Sequence, residues 1–209
     1  MKKYKKLLSD KFFNENPPQK IPTPPAMIQF AITIRGTEAM ELLKKYSSEG
    51  LMPERIISCE EEAEKISSLS TGDEVIRQMR KTIDPINSEL VLDKALMFED
   101  EIAMTVIKKL ATSWISIFIE NAVKFLAKCE MNYSSTLIEI FDEIRNPYAQ
   151  SLVFIVLGLR GDEDTIPWMY DKFFEFKKKY ADTDKYYEEG ALLALYDLDR
   201  RFNYGENAE

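Results

Sequence analysis

Histidine is absent from the 209 residues of the chain. Without histidine the chain cannot build a Ser-His-Asp or Cys-His catalytic group, bind zinc or haem through imidazole, or use an imidazole as a pH switch. Cysteine is scarce, with Cys59 and Cys129 as the two present. They lie far apart in the sequence, and neither has a second metal-ligating cysteine or histidine at a suitable spacing. This usage is typical of reduced, incidental thiols, and we expect a cytoplasmic protein.

The usual sequence motifs of enzyme sites are missing as well. The chain has no GxGxxG, GxxxxGK, GxSxG or CxxC element, which removes sequence support for nucleotide sites, nucleophile elbows and redox centres. It also lacks a run of about 18 apolar residues and an N-terminal apolar stretch with a cleavage site, so we expect neither a membrane span nor secretion. We therefore expect no cofactor and no metal ion. An enzyme would require a constellation that only folding brings together.

Acidic residues outnumber basic ones by 36 to 28, which gives a formal net charge of -8 and a pI near 4.9. This sign disfavours nucleic acid as the main partner, because phosphate binding requires a basic surface. The charge is uneven, since residues 1–20 are basic and residues 182–209 are acidic. Acidic clusters at residues 60–64, 99–101 and 162–164 lack the spacing of a calcium loop. We expect these carboxylates to be solvated or to cap helices.

Composition divides the chain into three parts. Residues 1–25 combine a lysine-rich amphipathic stretch with five prolines, and we interpret them as a basic arm and a proline-rich connector. Residues 26–201 form one helical domain in this interpretation, and residues 202–209 form a flexible tail. The arm is expected to cap the domain. A membrane surface or a partner protein is the alternative docking site for its lysines, Lys2, Lys3, Lys5 and Lys6.

The fold of residues 26–60 has two interpretations. Ile28, Phe30, Ile32 and Ile34 alternate with other residues as they would in a strand, although the neighbouring sequence has helical spacing. We favour helix, turn and helix, with the turn at Gly36. The alternative is a small βα unit that continues into a second strand at residues 55–59.

Beyond Pro53 almost every segment has the apolar spacing of a helix. The segment Ser113–Cys129 is apolar around most of its circumference, including Trp114 and Ile115, and should be packed on several sides. We expect Tyr133–Arg145 to be one helix. Asn146-Pro147 should begin the next helix, and the acidic residues before Thr165 should cap the one after it.

The segment 149–173, with the sequence AQSLVFIVLGLRGDEDTIPWMYDKF, resembles a HEAT-like repeat. In that family a first helix ends in an apolar-Gly-apolar element, a short acidic turn follows, and a second helix opens with an Ile-Pro pair. Residues 188–198 are similar to the start of a following repeat, and residues 113–145 to a preceding pair. The repeat starts, near 113, 147 and 184, are separated by about 34 and 37 residues, as in stacked helical pairs. The resemblance covers roughly residues 113–200 and implies an all-α fold, a right-handed α-solenoid.

A buried core between stacked helices follows from this arrangement, because each helical pair has more apolar surface than it can bury alone. The aromatic residues assigned to that core are Phe141, Phe154, Phe173 and Phe174.

Trp168 is the most informative surface candidate. With Ile166 and Met169 facing the core, it should project from the opposite side of its helix. HEAT-like second helices line a concave face, so the resemblance places Trp168 where partners bind, and tryptophan is a frequent hot-spot residue. The alternative is that Tyr133, Glu139 or the N-terminal segment covers the indole. The predicted binding residues are Trp168, Asp171, Lys172, Glu175, Tyr133, Glu139 and Glu143.

These features predict a non-catalytic protein-binding scaffold whose partner the sequence does not identify. One alternative is a nucleic-acid enzyme of the HEAT-like DNA glycosylase type, which the acidic composition disfavours. Another is an acidic inhibitor of a basic partner protein.

Overall fold

The computed structural model describes residues 7–18, 23–33, 61–83 and 85–203, and within these ranges the chain is all-α without strands. The prediction of an all-α protein is confirmed at this level. The helices are α1 (Asp10–Glu15), α2 (Pro24–Thr33), α3 (residues 61–67), α4 (Gly72–Met79), α5 (Pro85–Leu96), α6 (Glu99–Thr112), α7 (Ser116–Lys128), α8 (Ser134–Glu139), α9 (Pro147–Arg160), α10 (Thr165–Lys179) and α11 (Glu189–Phe202). None of the described helices combines the length and apolarity needed to cross a bilayer.

Helix α2 decides between the two interpretations of the segment that follows the prolines. Ile28 and Ile32, one helical turn apart, are buried, whereas Phe30 between them is 65% exposed. The hydroxyl of Thr23 accepts a hydrogen bond from Ala26 N at 3.4 Å, as expected of an N-terminal cap. The favoured helix through Ile28 is therefore confirmed, and the alternative of a strand there is wrong, because burial follows the helical period. The second strand and the second helix predicted for this region lie outside the described residues.

The chain forms two compact units. One consists of residues 1–29 and 131–209, and the other of residues 30–130. The predicted boundaries after residues 25 and 201 stay predictions.

A polar group organises the core of the second unit. Asn121 on α7 is 3% exposed, and its Nδ2 donates to the carbonyl oxygens of Met79 at 2.9 Å and Thr82 at 3.2 Å. Its Oδ1 accepts from the hydroxyl of Ser88 on α5 at 2.6 Å. These bonds satisfy the carbonyl groups of Met79, the last residue of α4, and of Thr82 in the segment that follows it. The helices of this unit also contribute fully buried apolar residues, Val75, Met79, Val91, Val106, Phe118 and Phe125.

The first unit is built around α9, whose residues 149–158 are all buried. Helix α11 crosses α9 at close range, because a Cβ added at Gly158 would lie 2.6 Å from the Cα of Ala194. Arg201 at the end of α11 donates to the carbonyl oxygens of Gly158 at 2.8 Å and Gly161 at 2.9 Å. The guanidinium thus caps the carboxyl end of α9.

The helix starts predicted around α9 and α10 are confirmed. Asn146 Oδ1 accepts from Tyr148 N at 3.0 Å, and Pro147 occupies the first turn of α9. Asp162 Oδ1 accepts from Thr165 N at 3.1 Å at the start of α10.

The prediction of one helix over Tyr133–Arg145 is wrong. Helix α8 ends at Glu139, and a 3-10 turn follows at Phe141–Glu143. Ile144 is extended, with φ -69° and ψ 110°. The tighter turn has three residues per turn, so it directs both Phe141 and Ile144 into the core, where they are 1% and 2% exposed.

Two other predictions of burial are also wrong. Trp114 and Ile115 precede α7 rather than lying inside it, and they are 66% and 37% exposed. Phe174 is 42% exposed because it lies on the side of α10 that faces away from the core residues Phe173 and Phe176. It contacts Phe12 of α1, with ring centroids 6.2 Å apart.

Candidate functional site

The predicted binding residues of α10 share one side of that helix. Trp168, Asp171, Lys172 and Glu175 occupy positions i, i+3, i+4 and i+7, which are neighbours on a helical surface. The opposite side carries Ile166, Met169, Phe173 and Phe176, which are buried. The apolar spacing of α10 therefore fixes which side chains remain available to a partner.

The indole of Trp168 is half-buried. It meets the ring of Phe141 edge to face, with centroids 5.1 Å apart and an interplanar angle of 89°. Its centroid lies 6.0 Å from that of Phe154. The two phenylalanines hold one side of the indole, and the remainder is accessible to solvent. Aromatic contacts of this geometry fix the ring before a partner arrives. Binding through the indole would therefore cost little side-chain entropy.

Lys172 is largely enclosed by contacts with its neighbours, with 14% of its side chain exposed. Its ammonium donates to Asp142 Oδ1 at 2.7 Å, lies 3.0 Å from Glu175 Oε2, and stands 5.5 Å from the centroid of Phe141. Burial lowers the pKa of Lys172, but the hydrogen bonds and charges of Asp142 and Glu175 outweigh it, so the pKa is raised. Lys172 stays charged, and its charge is matched by two carboxylates.

The other predicted residues occupy the neighbouring α8 and 3-10 segment or the outer side of α10. Asp171, Glu139 and Glu143 are exposed. Tyr133 is half-buried at the start of α8, where its carbonyl oxygen accepts from Leu137 N at 2.9 Å. Among the predicted residues, Lys172 and Glu175 contact each other directly. Lys172 and Trp168 are linked through Phe141, which both side chains contact. Partner binding by this surface stays a prediction.

Asp142 is the residue of this site that the sequence did not identify. It lies thirty residues before Lys172, and neither helical spacing nor a motif connects the two positions. A stripe along one helix can be found from its period. A contact between two segments cannot, because it depends on how they pack.

The acidic clusters make structural contacts where the structure describes them. Glu99 Oε2 accepts from Glu130 N at 2.8 Å, and Glu101 Oε1 accepts from Gly72 N at 3.1 Å. Asp162 caps α10 as described above. Among the described residues, no three His, Cys, Asp or Glu side chains are grouped closely enough to hold a metal ion.

Comparisons of the chain with protein-family models, with curated proteins and with solved structures give no match.

Proposed function

We propose that the chain is a non-catalytic protein-binding scaffold. The binding site in this proposal is the Trp168 surface, formed by Tyr133, Glu139, Glu143, Trp168, Asp171, Lys172 and Glu175 together with Asp142. One observation carries the proposal: an indole fixed against Phe141 remains partly accessible beside several exposed carboxylates. A rigid aromatic group within a polar rim is the usual arrangement of a protein-binding hot spot.

The charge of the Trp168 surface indicates the chemistry of the partner. Its carboxylates are Glu139, Asp142, Glu143, Asp171 and Glu175, and its single cation, Lys172, already contacts two of them. A basic segment with an arginine or an apolar group that stacks on the indole would complement this arrangement. The same carboxylates would repel a nucleic-acid backbone, which argues against the glycosylase alternative. An inhibitor of a basic protein would use the same surface.

The architecture is part of the proposal. A HEAT-like stack of helical pairs over roughly residues 113–200 would place α10 on the inner side of the stack, where such arrays bind partners. The apolar-Gly-apolar element that ends α9 and the capped acidic turn before α10 support it.

Site-specific photo-crosslinking identifies the partner. A photoreactive phenylalanine at the exposed position of Asp171 is expected to trap one protein in cells. The same group at Lys65, exposed on α3, serves as the matched control. Equal trapping from both positions would contradict the proposal.

Binding of the trapped protein, once purified, is then measured with variants. W168A is expected to weaken binding about thirtyfold, the effect of losing a hot-spot side chain. Because Trp168 also packs on Phe141, its removal could alter the fold as well as the site. D171K is therefore a second variant, at an exposed position, and should weaken the binding of a basic partner several-fold. Wild-type affinity in both variants would overturn the proposed site.

A further inference from the structure

A cavity of about 280 Å³ lies within the unit of residues 30–130, beside the start of α7. Its wall includes the basic residues Arg80 and Lys109, the hydroxyls of Thr112 and Ser113, and the rings of Trp114 and Phe118. Among the residues that the structure describes, no carboxylate lines it. In a chain with a formal net charge of -8, a cavity whose described lining has two cations and no acid is an exception to the general composition.

Trp114 is the aromatic wall of this cavity and is 66% exposed. It belongs to the short connection between α6 and α7, where Ser113 Oγ accepts from Ile115 N at 3.2 Å. Tryptophan is a large side chain that folding usually covers to a much greater extent. An exposed indole at the edge of a cavity offers a flat face on which another ring can stack.

Within the described part of the chain, no carboxylate pairs with the two cations of the cavity. In residues 61–83 and 85–203 neither Arg80 nor Lys109 forms an ion pair or a side-chain hydrogen bond. The N-terminus of helix α7 adds partial positive charge beside the cavity. Its N-cap residue, Ile115, gives no side-chain cap to the amides of the first turn. Two side chains and a helix terminus therefore attract negative charge to one place.

We propose that this cavity binds a small organic anion in which a phosphate or carboxylate group is attached to a flat ring. Arg80 and Lys109 would bind the anionic oxygens, and the face of Trp114 would stack on the ring. The volume lies just below the range of 300–1,000 Å³ typical of sites for drug-sized ligands, so a ligand with one ring fits best. This site is independent of the Trp168 surface and of the protein-binding function proposed there.

Calorimetric titration of the full chain with phenyl phosphate tests the proposal. Inorganic phosphate supplies the charge without the ring, and phenol supplies the ring without the charge. We expect saturable binding of phenyl phosphate. Phenol should bind at least about tenfold more weakly, because it lacks the charge-assisted hydrogen bonds. Inorganic phosphate should bind at least about tenfold more weakly, because it lacks the ring that stacks on Trp114. Absence of saturable binding, or equal binding of phenol, would overturn the proposal. Equal binding of inorganic phosphate would overturn the part of the proposal that requires a ring in the ligand.

Three variants assign the residues. R80Q and K109Q should each weaken the binding of phenyl phosphate about tenfold. W114A should weaken the binding of phenyl phosphate and leave the affinity for inorganic phosphate unchanged. K108Q, at the adjacent exposed position of α6, is the matched control and should bind like wild type. Because all four side chains are exposed, these variants should keep the wild-type melting temperature. Wild-type affinity in R80Q and K109Q would place the anion elsewhere.

Fluorescence gives a readout confined to the cavity. The chain has two tryptophans, so W168F leaves Trp114 as the reporter. Phenyl phosphate should quench its emission with the same midpoint as the calorimetric titration. An unchanged spectrum at saturation would contradict stacking. Binding of a thymidine octamer at least 100-fold tighter than phenyl phosphate would replace the proposal with a single-stranded nucleic-acid site.

Discussion

Asp197 on α11 is a carboxylate that its surroundings make harder to ionise. Burial raises its pKa, and the hydrogen bond that Gln29 Nε2 donates at 2.5 Å and the charges of Arg201 and Arg200 lower it by less. The folded chain therefore keeps this proton at pH values at which the unfolded chain has already released it. Between the two pKa values, the free energy of unfolding falls as the pH rises.

We expect D197N to remove this pH dependence. Asparagine keeps an acceptor for Gln29 without the charge, so the variant should gain stability relative to wild type as the pH rises from about 4 to 7. The gain at pH 7 should stay below about 1 kcal/mol, since the carboxylate keeps part of its solvent contact. Urea unfolding at several pH values measures it. D184N, at an exposed position, is the control, and identical pH profiles for D197N and wild type would contradict the explanation.

Single residues show how far the sequence predicts the candidate sites. Trp168 and Lys172 could be placed on one side of α10 because four residues make about one helical turn, whatever the helix packs against. Asp142 could not be joined to Lys172, because their contact at 2.7 Å depends on how the 3-10 turn packs on α10. Trp114 was assigned to a buried helix because an apolar run does not reveal where the helix begins. Its 66% exposure required the structure.

Helices α9 and α11 approach each other through glycine. A Cβ added at Gly190 would overlap the carbonyl oxygen of Ser151, a backbone atom that a rotamer change cannot move. The hydroxyl of Ser151, in contrast, is buried and has no hydrogen-bond partner among the described residues. The same crossing thus contains one position where a methyl group does not fit and one where a polar atom is unsatisfied.

The pair of variants G190A and S151A tests this crossing. Alanine is favoured over glycine in a solvated helix by about 1 kcal/mol, so a destabilised G190A would show that the steric clash dominates. We expect a loss of about 2 kcal/mol or more for G190A, the usual effect of overpacking. S151A should be neutral or stabilising by up to about 1 kcal/mol. Denaturant unfolding measures both, and a G190A variant as stable as wild type would contradict the close approach.

At the scale of elements, the sequence predicts what local chemistry determines. The starts of α9 and α10 were predicted because Asn146, Pro147 and Asp162 act on backbone groups within a few residues. The end of α8 was not, because the change to a 3-10 turn serves the burial of Phe141 and Ile144 against other helices. Alternation near Ile28 suggested a strand, and which of those side chains is covered was decided by tertiary packing.

The whole molecule divides into two compact units, each with its own buried core. The division falls after Gln29 inside α2 and after Glu130 between α7 and α8. The sequence did not predict these boundaries, because helical segments of similar apolar spacing lie on both sides of each. Composition changes mark proline-rich or charged segments, whereas a compact unit is defined by contacts between residues far apart in the chain.

Local perturbation of each core should be confined to its own unit. N121A would leave the buried carbonyl groups of Met79 and Thr82 without their donor and should cost about 2–3 kcal/mol. Amide hydrogen exchange in N121A is therefore expected to accelerate in α4 to α7 and to stay at the wild-type rate in α9 to α11. G190A should give the reverse pattern. If either variant accelerates exchange equally in both units, the chain unfolds as a single cooperative body and the division has no energetic counterpart.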